Sequence, residues 1–455
     1  KDIVKTAVFV AAAIVAPGTV LTTFFASMAL SSAMSALTPA PKLSGVGGER
    51  RTLTTRVPNA TRKIIYGETR VGGNIVFLQS TNDDKYLHIV VVMAAHEINS
   101  FEAIFLNDEE LTISNNAVTN PAKYSGLVNV YPVEVGSVSN TPSALISQTD
   151  WTADHTLTDQ AYIYMRLEFD ADAFPNGLPN ISARVQGRKI YDPRSSQTNY
   201  STNPALAIRD YLMDTTYGLG APATEINDTS FIAAANICDE AVNLDGGGTE
   251  KRYEIDGVVD TKNTPRANIE NMLTSLNGNI YYSNGQWSLN AGAYKTPTIT
   301  LDEDDFVSSM VVSTSNSARD NFNAIKGQFV SPESDFQPSD YPEVTSSTFE
   351  SEDGDIRKYI DLDLPFTSSS SRAQRIAKQI LFKGRQEVTI EASFKLTAFQ
   401  FEVGDTLLIN NTRLGFTNKV FEVISWRLNF QSEEVTVDCV LSETNAAVYA
   451  WDAEE

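Results

Sequence analysis

The chain has 455 residues, 42% of them hydrophobic and 20% charged, with a formal net charge of −22. That length asks for three or four domains, and that composition suits a folded chain over a disordered one. So acidic a balance repels a phosphate backbone and excludes a general nucleic-acid binder, though not a channel wall past which DNA slides.

Residues 6–41 carry no charged side chain. By length the stretch could span a bilayer, and Lys1 and Lys5 ahead of a short apolar core have the layout of a signal peptide. Pro17-Gly18 divides it into two shorter apolar helices. The second is rich in Ala, Ser, Thr and Met, which suits close helix packing. Three readings stay open: a helical segment buried in an oligomer, a membrane-interacting segment, or a cleaved signal. The chain opens on Lys1 without a starting Met, which fits a processed or partial product.

From about 50 to 200 the pattern is β-rich. In Arg56 to Phe77, Pro58 marks a turn, Lys63 to Tyr66 a short strand, Gly67 a break, and Gly72-Gly73 the opening of a second strand. Asn74 to Leu78 and Tyr86 to Met93 read as strands from their β-branched content, with Thr81 to Asp84 as the turn between them. Ser100 to Ile104 and Glu110 to Ile113 continue the pattern, and Ala161 to Phe169 alternates with period two. Residues 114–158 are polar and read as an insertion. Ile181 to Tyr191 is a further strand-pair signal.

From 201 to 300 the period becomes helical. Asn203-Pro204 opens a helix with Asn as cap and Pro at the first position, and its stripe is Leu206, Ile208, Tyr211 and Leu212. Asn227 to Thr229 caps a second helix, and Thr264-Pro265 opens a third with Ile269, Met272 and Leu273 on one face. Asn279 to Tyr282, Asn284-Gly285 and Gln286 to Leu289 form a hairpin around an Asn-Gly turn. From 301 to 455 the pattern is again mainly β, with one helix near 370–383. Val388 to Lys395, Val420 to Leu428 and Val435 to Leu441 alternate, and Phe401 to Asp405 turns into a strand at Leu407 to Ile409.

Little chemistry appears. Cys238 and Cys439 sit far apart in apolar contexts and make no CxxC pair, so both read as buried free thiols. His96-Glu97 begins like a zincin motif, but Ser100 stands where the second His is needed. His88 reads as a strand residue. There is no Gly-x-Ser-x-Gly elbow, P-loop or dinucleotide fingerprint. Gly246 to Gly248 is a loop. The acidic runs at Asp302 to Asp305 and Ser351 to Asp355 lack the layout of a Ca²⁺ loop and read as solvated faces. No catalytic residue, cofactor or metal is expected.

Four stretches, in order, resemble the tail tip attachment proteins of lambda-type phages, also called host specificity or central tail fibre proteins. They are Arg56 to Phe77; Asn203 to Gly220 with the following helix to Asp239; Glu254 to Asp260 with the helix to Leu276 and its hairpin; and Arg319 to Phe329 with Arg372 to Ile380 and Val403 to Asp405. The resemblance covers roughly residues 50–445. It implies an α+β, mostly β hub, related in architecture to phage baseplate hubs, with two β-barrel-like tube domains, an α/β domain and an apolar N-terminal helical segment. The spans would be 1–45, 46–200, 201–300 and 301–455.

The same resemblance implies a homotrimer closing the end of the tail tube, with a part in host attachment and DNA ejection. Its partners would be the distal tail protein, other tail tip proteins and the tape measure protein. DNA would pass through the lumen without specific binding, and the N-terminal apolar segment would be a possible contact with the host membrane. Arg62, Lys63, Tyr66 and Arg70 become candidate interface residues, with the strands near 388–395 and 420–428. The alternative is a secreted or surface carbohydrate-binding or hydrolytic β-protein with an N-terminal signal, which needs paired carboxylates in a cleft.

Overall fold

The computed structural model describes residues 52–307, 310–314, 321–430 and 435–451. The N-terminal apolar segment lies outside the described residues, as do Arg319 and Asp320 at the head of the fourth stretch. The described chain has more strand than helix, as expected for an α+β, mostly β protein. Six α-helices are described: α1 (Ser143–Gln148), α2 (Pro204–Met213), α3 (Asp228–Cys238), α4 (Pro265–Leu273), α5 (Ser347–Glu352) and α6 (Ser370–Gly384).

The first unit is a pair of sheets. Six antiparallel strands run in the order Asn74–Thr81, Tyr86–Ala94, Ala161–Glu168, Val128–Val133, Ala117–Asn120 and Thr112–Ser114. Four more run in the order Glu68–Gly72, Ile181–Gln186, Ser100–Leu106 and Glu109–Glu110. Ile89, Val91, Met93, Ile163 and Met165 from one sheet and Val71, Ile104, Leu106, Ile181 and Val185 from the other bury a common core. The opposite face of the larger sheet is covered by Leu145 of α1 and by Trp151, packed on Val90, Tyr162 and Tyr164. Part of the polar span 114–158 therefore belongs to the sheet, and the rest covers it.

The sheets are open. A barrel needs a continuous hydrogen-bond ladder between its edges. Here consecutive strands pass to different sheets instead. Lys63–Tyr66 pairs with Gly257–Asp260, Glu68–Gly72 with Ile181–Gln186, and Asn74–Thr81 with Tyr86–Ala94. Only Gly67 and Gly73 separate these three strands. A single residue cannot turn a hairpin, which takes at least two, so the opening strands do not pair with each other as a strand pair would. Ile181–Gln186 and Lys189–Asp192 part in the same way, the latter pairing with Gln197–Tyr200.

The central core gathers α2, α3, α4 and α6 around the hairpin Asn279–Ser283 and Gln286–Asn290. The helix starts follow the sequence closely. Asn203 accepts from Ala205 N and Leu206 N, Asn227 from Ser230 N, and Thr264 from Ala267 N, each satisfying donors that a helix start leaves open. Asn284 and Gly285 have φ of 53° and 79°, the backbone of a type I′ turn. Ala324–Lys326, Gln328–Ser331, Tyr341 and Leu364 join this core through Phe322, Ile325, Phe329 and Ile376. The helical core thus draws in residues 322–381 from the span read as a second β-rich domain.

The C-terminal sheet holds six strands in the order Ile299–Leu301, Thr406–Asn411, Phe416–Asn429, Thr436–Glu443, Thr389–Phe394 and Val311–Ser313. Ile299–Leu301 and Thr406–Asn411 are parallel, and the other pairs are antiparallel. Ile390, Phe394, Leu407, Ile409, Phe421, Val423, Val437 and Leu441 fill its inner face. Its two edge strands are consecutive in sequence and joined by chain, with no ladder between them among the described residues, so this unit too is an open sheet.

Candidate functional site

The opening stretch forms the seam between two cores. Along Lys63–Tyr66, Ile64 and Tyr66 point into the helical core while Ile65 points into the sandwich core. Period-two alternation on one strand therefore serves as the shared wall of both. Gly67 follows with φ of 66°, and a Cβ there would lie 1.9 Å from Ile255 O and 2.3 Å from Asp256 Oδ1. Glycine is required twice over, for the left-handed backbone and for the close approach.

The sequence-named residues divide at this seam. Arg62 is exposed and its guanidinium donates to Gln160 Oε1 at 2.9 Å. Lys63 is half-buried and its ammonium reaches Gly72 O at 2.6 Å. Tyr66 is fully buried, and Arg70 is 2% exposed. The Arg70 guanidinium donates to Ser182 Oγ and to Asp108 at 2.5 Å, lies 4.0 Å over the Phe105 ring, and approaches Asp335 at 3.6 Å. Neither Tyr66 nor Arg70 offers a side chain to a partner surface. Arg70 reads as a rim charge because its partners lie 38, 112 and 265 residues away.

Two polar networks pin the seam. In the first, Tyr66 donates to Asp210 Oδ2 at 2.7 Å, and Arg188 bridges Asp210 at 3.1 Å and Asp214 at 2.5 Å. Asp214 also accepts from Thr216 N and Tyr217 N, closing the Tyr217-Gly-Leu-Gly220 turn after α2. These hydrogen bonds and Arg188 outweigh its burial and hold its carboxyl low, whereas burial pushes the Asp210 carboxyl and the Tyr66 phenol up. His96 sits beside this group, its Nε2 accepting from Ile65 N at 2.9 Å.

In the second network, Asp256 accepts from Glu68 N at 2.8 Å and from the Ser368 hydroxyl ahead of α6. Burial pushes its carboxyl up to about 6. One turn on, the buried Arg372 reaches Glu254 at 2.5 Å, and Arg375 reaches Glu250 at 2.7 Å and Arg252 O at 2.7 Å. Ser369 caps α6 through Arg372 N while donating to Glu250 Oε2 at 2.8 Å. Tyr253 donates to Gly292 O at 2.6 Å and lies 3.0 Å from Gln379 Oε1. The stretch Glu250 to Asp256 thereby locks onto α6. Sequence reading placed Glu254 to Asp260 and Arg372 to Ile380 among the matching stretches. It had no means of pairing them, because more than 110 residues separate the partners.

The remaining chemistry-bearing groups are internally engaged. His88 lies between Thr81 Oγ1 and Tyr164 Oη, 2.8 Å from each, and is buried as a strand residue. Burial pushes its imidazole down and the Tyr164 phenol up to about 12. Burial also pushes both cysteine thiols up, as inert core thiols. Asp302 to Asp304 line a shallow cleft of about 480 Å³ with Asn410 to Thr412 and Gly415 to Thr417. Carboxylates of this acidic run act as caps: Asp302 accepts from Asp304 N, Asp305 from Asp302 N and from Thr397, and Glu303 from Thr412 N. Such an arrangement holds loops and leaves no aligned acid and base.

Both candidate assembly strands are inner strands in the order of the C-terminal sheet. Thr389–Phe394 pairs along its length with Thr436–Glu443 and at Thr389, Ile390 and Glu391 with Val311–Ser313, whereas Phe416–Asn429 pairs with Thr406–Asn411 as far as Glu422 and with Thr436–Glu443 from Phe421 onward. The edge strands of the two six-stranded sheets are Asn74–Thr81 and Thr112–Ser114 in one and Ile299–Leu301 and Val311–Ser313 in the other. Large apolar side chains are exposed beyond the end of the C-terminal sheet: Leu396, Phe399, Phe430 and Val435.

Comparison with known proteins places these features. Residues 264–426 match a family described as putative phage tail proteins. Baseplate hub protein pb3 of Escherichia phage T5 is 22% identical over 293 residues, 60% of this chain and 30% of that protein. Tip attachment protein J of Escherichia phage SECphi27 is 22% identical over 282 residues, 56% of this chain and 23% of that protein. The chain thus spans about a quarter to a third of the length of these curated relatives. A chain in the virion of a native gene transfer agent particle shares its fold, with a TM-score of 0.60 and 12% identity over 95% of this chain and 98% of that one. The resemblance to tail tip and hub proteins read from the four stretches agrees with these matches, and the family match spans most of the third and fourth.

Proposed function

We propose, from its likeness to phage tail proteins, that this chain is a structural component of a phage or phage-like tail tip, a hub that closes the end of the tail tube. The observation that carries the reading is the family match at residues 264–426, set in a chain whose fold follows a particle component over nearly its whole length. It is a virion protein at the tail tip and acts mechanically, without catalysis. The relatives bear the names of structural tail parts, and the polar clusters described above are consumed in holding the chain together.

Three copies form the hub, with residues 46–200 and 301–455 contributing β-rich walls and 201–300 an α/β buttress. Docking to the distal tail protein, other tail tip proteins and the tape measure protein uses open sheet edges, the exposed Arg62 and the half-buried Lys63. The net charge of −22 keeps DNA from adhering as it passes during ejection. Host attachment, and membrane contact through the apolar N-terminal segment, belong to the same reading. The test is to place a compact tag at the exposed Gly246 to Gly248 loop and image labelled particles. Density at the tail tip with threefold symmetry is the expected result. Labelled density along the shaft, or particles lacking the chain, would overturn the assignment.

A further inference from the structure

We propose that His96 is an acid-sensitive latch on the strand Lys63–Tyr66, and that its protonation loosens the seam between the two cores. This strand is the shared wall, and its two edges are held differently. One edge carries a regular backbone ladder to Gly257–Asp260. On the other, Ala95 N donates to Lys63 O at 2.9 Å and Arg188 N donates to Ile65 O at 2.8 Å. There the Ile65 amide finds an imidazole nitrogen in place of a backbone carbonyl, His96 Nε2 at 2.9 Å.

A carbonyl accepts at any pH, but an imidazole nitrogen accepts only while it lacks a hydrogen. His96 Nδ1 lies 2.6 Å from Glu97 O, so Nδ1 carries the hydrogen and leaves Nε2 free to accept; the hydrogen bonds themselves assign this tautomer. A proton arriving at Nε2 sets N–H against N–H in a position 7% exposed. The ring cannot keep the bond by flipping, because a half-turn about the Cβ–Cγ bond brings carbon Cε1 to the place of Nε2 and carbon Cδ2 to the place of Nδ1, and both hydrogen bonds are lost.

The charged groups around the ring give the proton little welcome. Glu97 is adjacent on the same segment but paired with Lys189 at 2.7 Å. Asp214, from the end of α2, is held by Arg188 at 2.5 Å, and Asp210 is held by Arg188 and Tyr66. Arg188 itself faces the ring as a positive charge. Burial is the largest influence, and with Arg188 it outweighs the Glu97 carbonyl and the two carboxylates, holding the imidazole down to about 4.

The sign follows. The neutral ring is favoured in the folded seam and the charged ring in an opened one, whose imidazole returns to its ordinary 6.5. The latch is whole above pH 6.5 and weakens as pH falls from there toward 4. His88 is also buried, but it bridges Thr81 and Tyr164 within one sheet. It is therefore a control for a buried histidine away from the seam.

The experiment is hydrogen exchange on the full chain, corrected for intrinsic rates, from pH 7.5 to 4.5. The readout is peptides covering residues 60–70 and 185–192, in the wild type, His96→Gln and His88→Gln. The expected result is a loss of protection at 63–67 of at least about tenfold in the wild type, since each pKa unit of difference is a factor of ten. In His96→Gln, whose Oε1 accepts the same amide at every pH, the loss disappears; in His88→Gln it persists. Flat protection in the wild type overturns the latch, as does an equal loss in His96→Gln. If His96→Gln fails to fold, the wild type and His88→Gln still decide: a loss abolished by His88→Gln assigns it elsewhere, and a loss retained supports the latch.

Discussion

The phenol of Tyr66 donates to the Asp210 carboxylate at 2.7 Å, joining the shared strand to the middle of α2 across 144 residues of sequence. Arg188 completes the link on the same oxygen. Removing the hydroxyl in Tyr66→Phe leaves a half-buried carboxylate with one donor fewer while the ring still fills its place. A lost hydrogen bond to a charged partner costs about 2 kcal/mol. Chemical denaturation should show the transition that unfolds the helical core shifting down by that amount.

Gly67 and Gly285 both have left-handed backbones but differ in surroundings. A Cβ at Gly67 meets Ile255 O at 1.9 Å, and one at Gly285 meets open space. Gly285→Ala should cost only the left-handed conformation, about 1 kcal/mol. Gly67→Ala must also displace the backbone of Ile255, so its thermal midpoint should fall several times further. Equal shifts in the two variants would refute the close-approach reading.

Arg62 and Arg70 offer a test of surface against interior. Arg62→Ala removes an exposed hydrogen bond and should stay within about 0.5 kcal/mol of the wild type. Arg70→Ala empties a buried site over Phe105 and strands Ser182, for a loss of about 2–3 kcal/mol. The same pair in an assembly assay should reverse in order if Arg62 makes a docking contact.

Glu250 is the carboxylate between Arg372 and Arg375, which are 2% and 1% exposed. Glu250→Gln leaves these guanidinium groups undercompensated and should destabilise by about 3–5 kcal/mol. Changing Glu250 and Arg375 together to Met should recover part of that loss. A double-mutant cycle measured by denaturation reads the coupling directly.

Asp256 sets a pH dependence opposite in sign to that of His96. Its folded value, about 6, stands above the ordinary 3.8. The protonated carboxyl is therefore favoured in the fold, and its contribution is whole below 3.8 and lost as pH rises through about 6. The loss is on the order of 3 kcal/mol for a shift of this size. Asp256→Asn should abolish that slope, so the difference in stability between wild type and variant should change between pH 4 and pH 7.

The elements that were legible in sequence are those whose cause is local. The caps at Asn203, Asn227 and Thr264 and the Asn284-Gly285 turn depend on a few adjacent residues, and each formed where its residues placed it. Strands such as Ala161–Glu168 and Thr436–Glu443 announced themselves by alternation. The opening stretch misled for a physical reason. Lys63 to Tyr66 and the strand after Gly72-Gly73 follow closely in sequence, yet the first is completed by Gly257–Asp260, more than 100 residues away, the second by Tyr86–Ala94, and a third strand between them, Glu68–Gly72, by Ile181–Gln186. Arg70 misled likewise, since charge predicts exposure only until a fold supplies Ser182, Asp108 and Phe105 together.

The sequence alone determined the local geometry, the acidic charge, the lack of a catalytic motif and the likeness to tail tip proteins. Each follows from residue identity or from short-range sterics and hydrogen bonding. The tertiary structure alone decided that Tyr66 faces Asp210, that His96 stands in for a backbone acceptor, and that Glu250, Arg372 and Arg375 form one buried network. Those outcomes depend on which distant segments share a core, and burial, which only the fold sets, decides whether a charge or a proton is tolerated there.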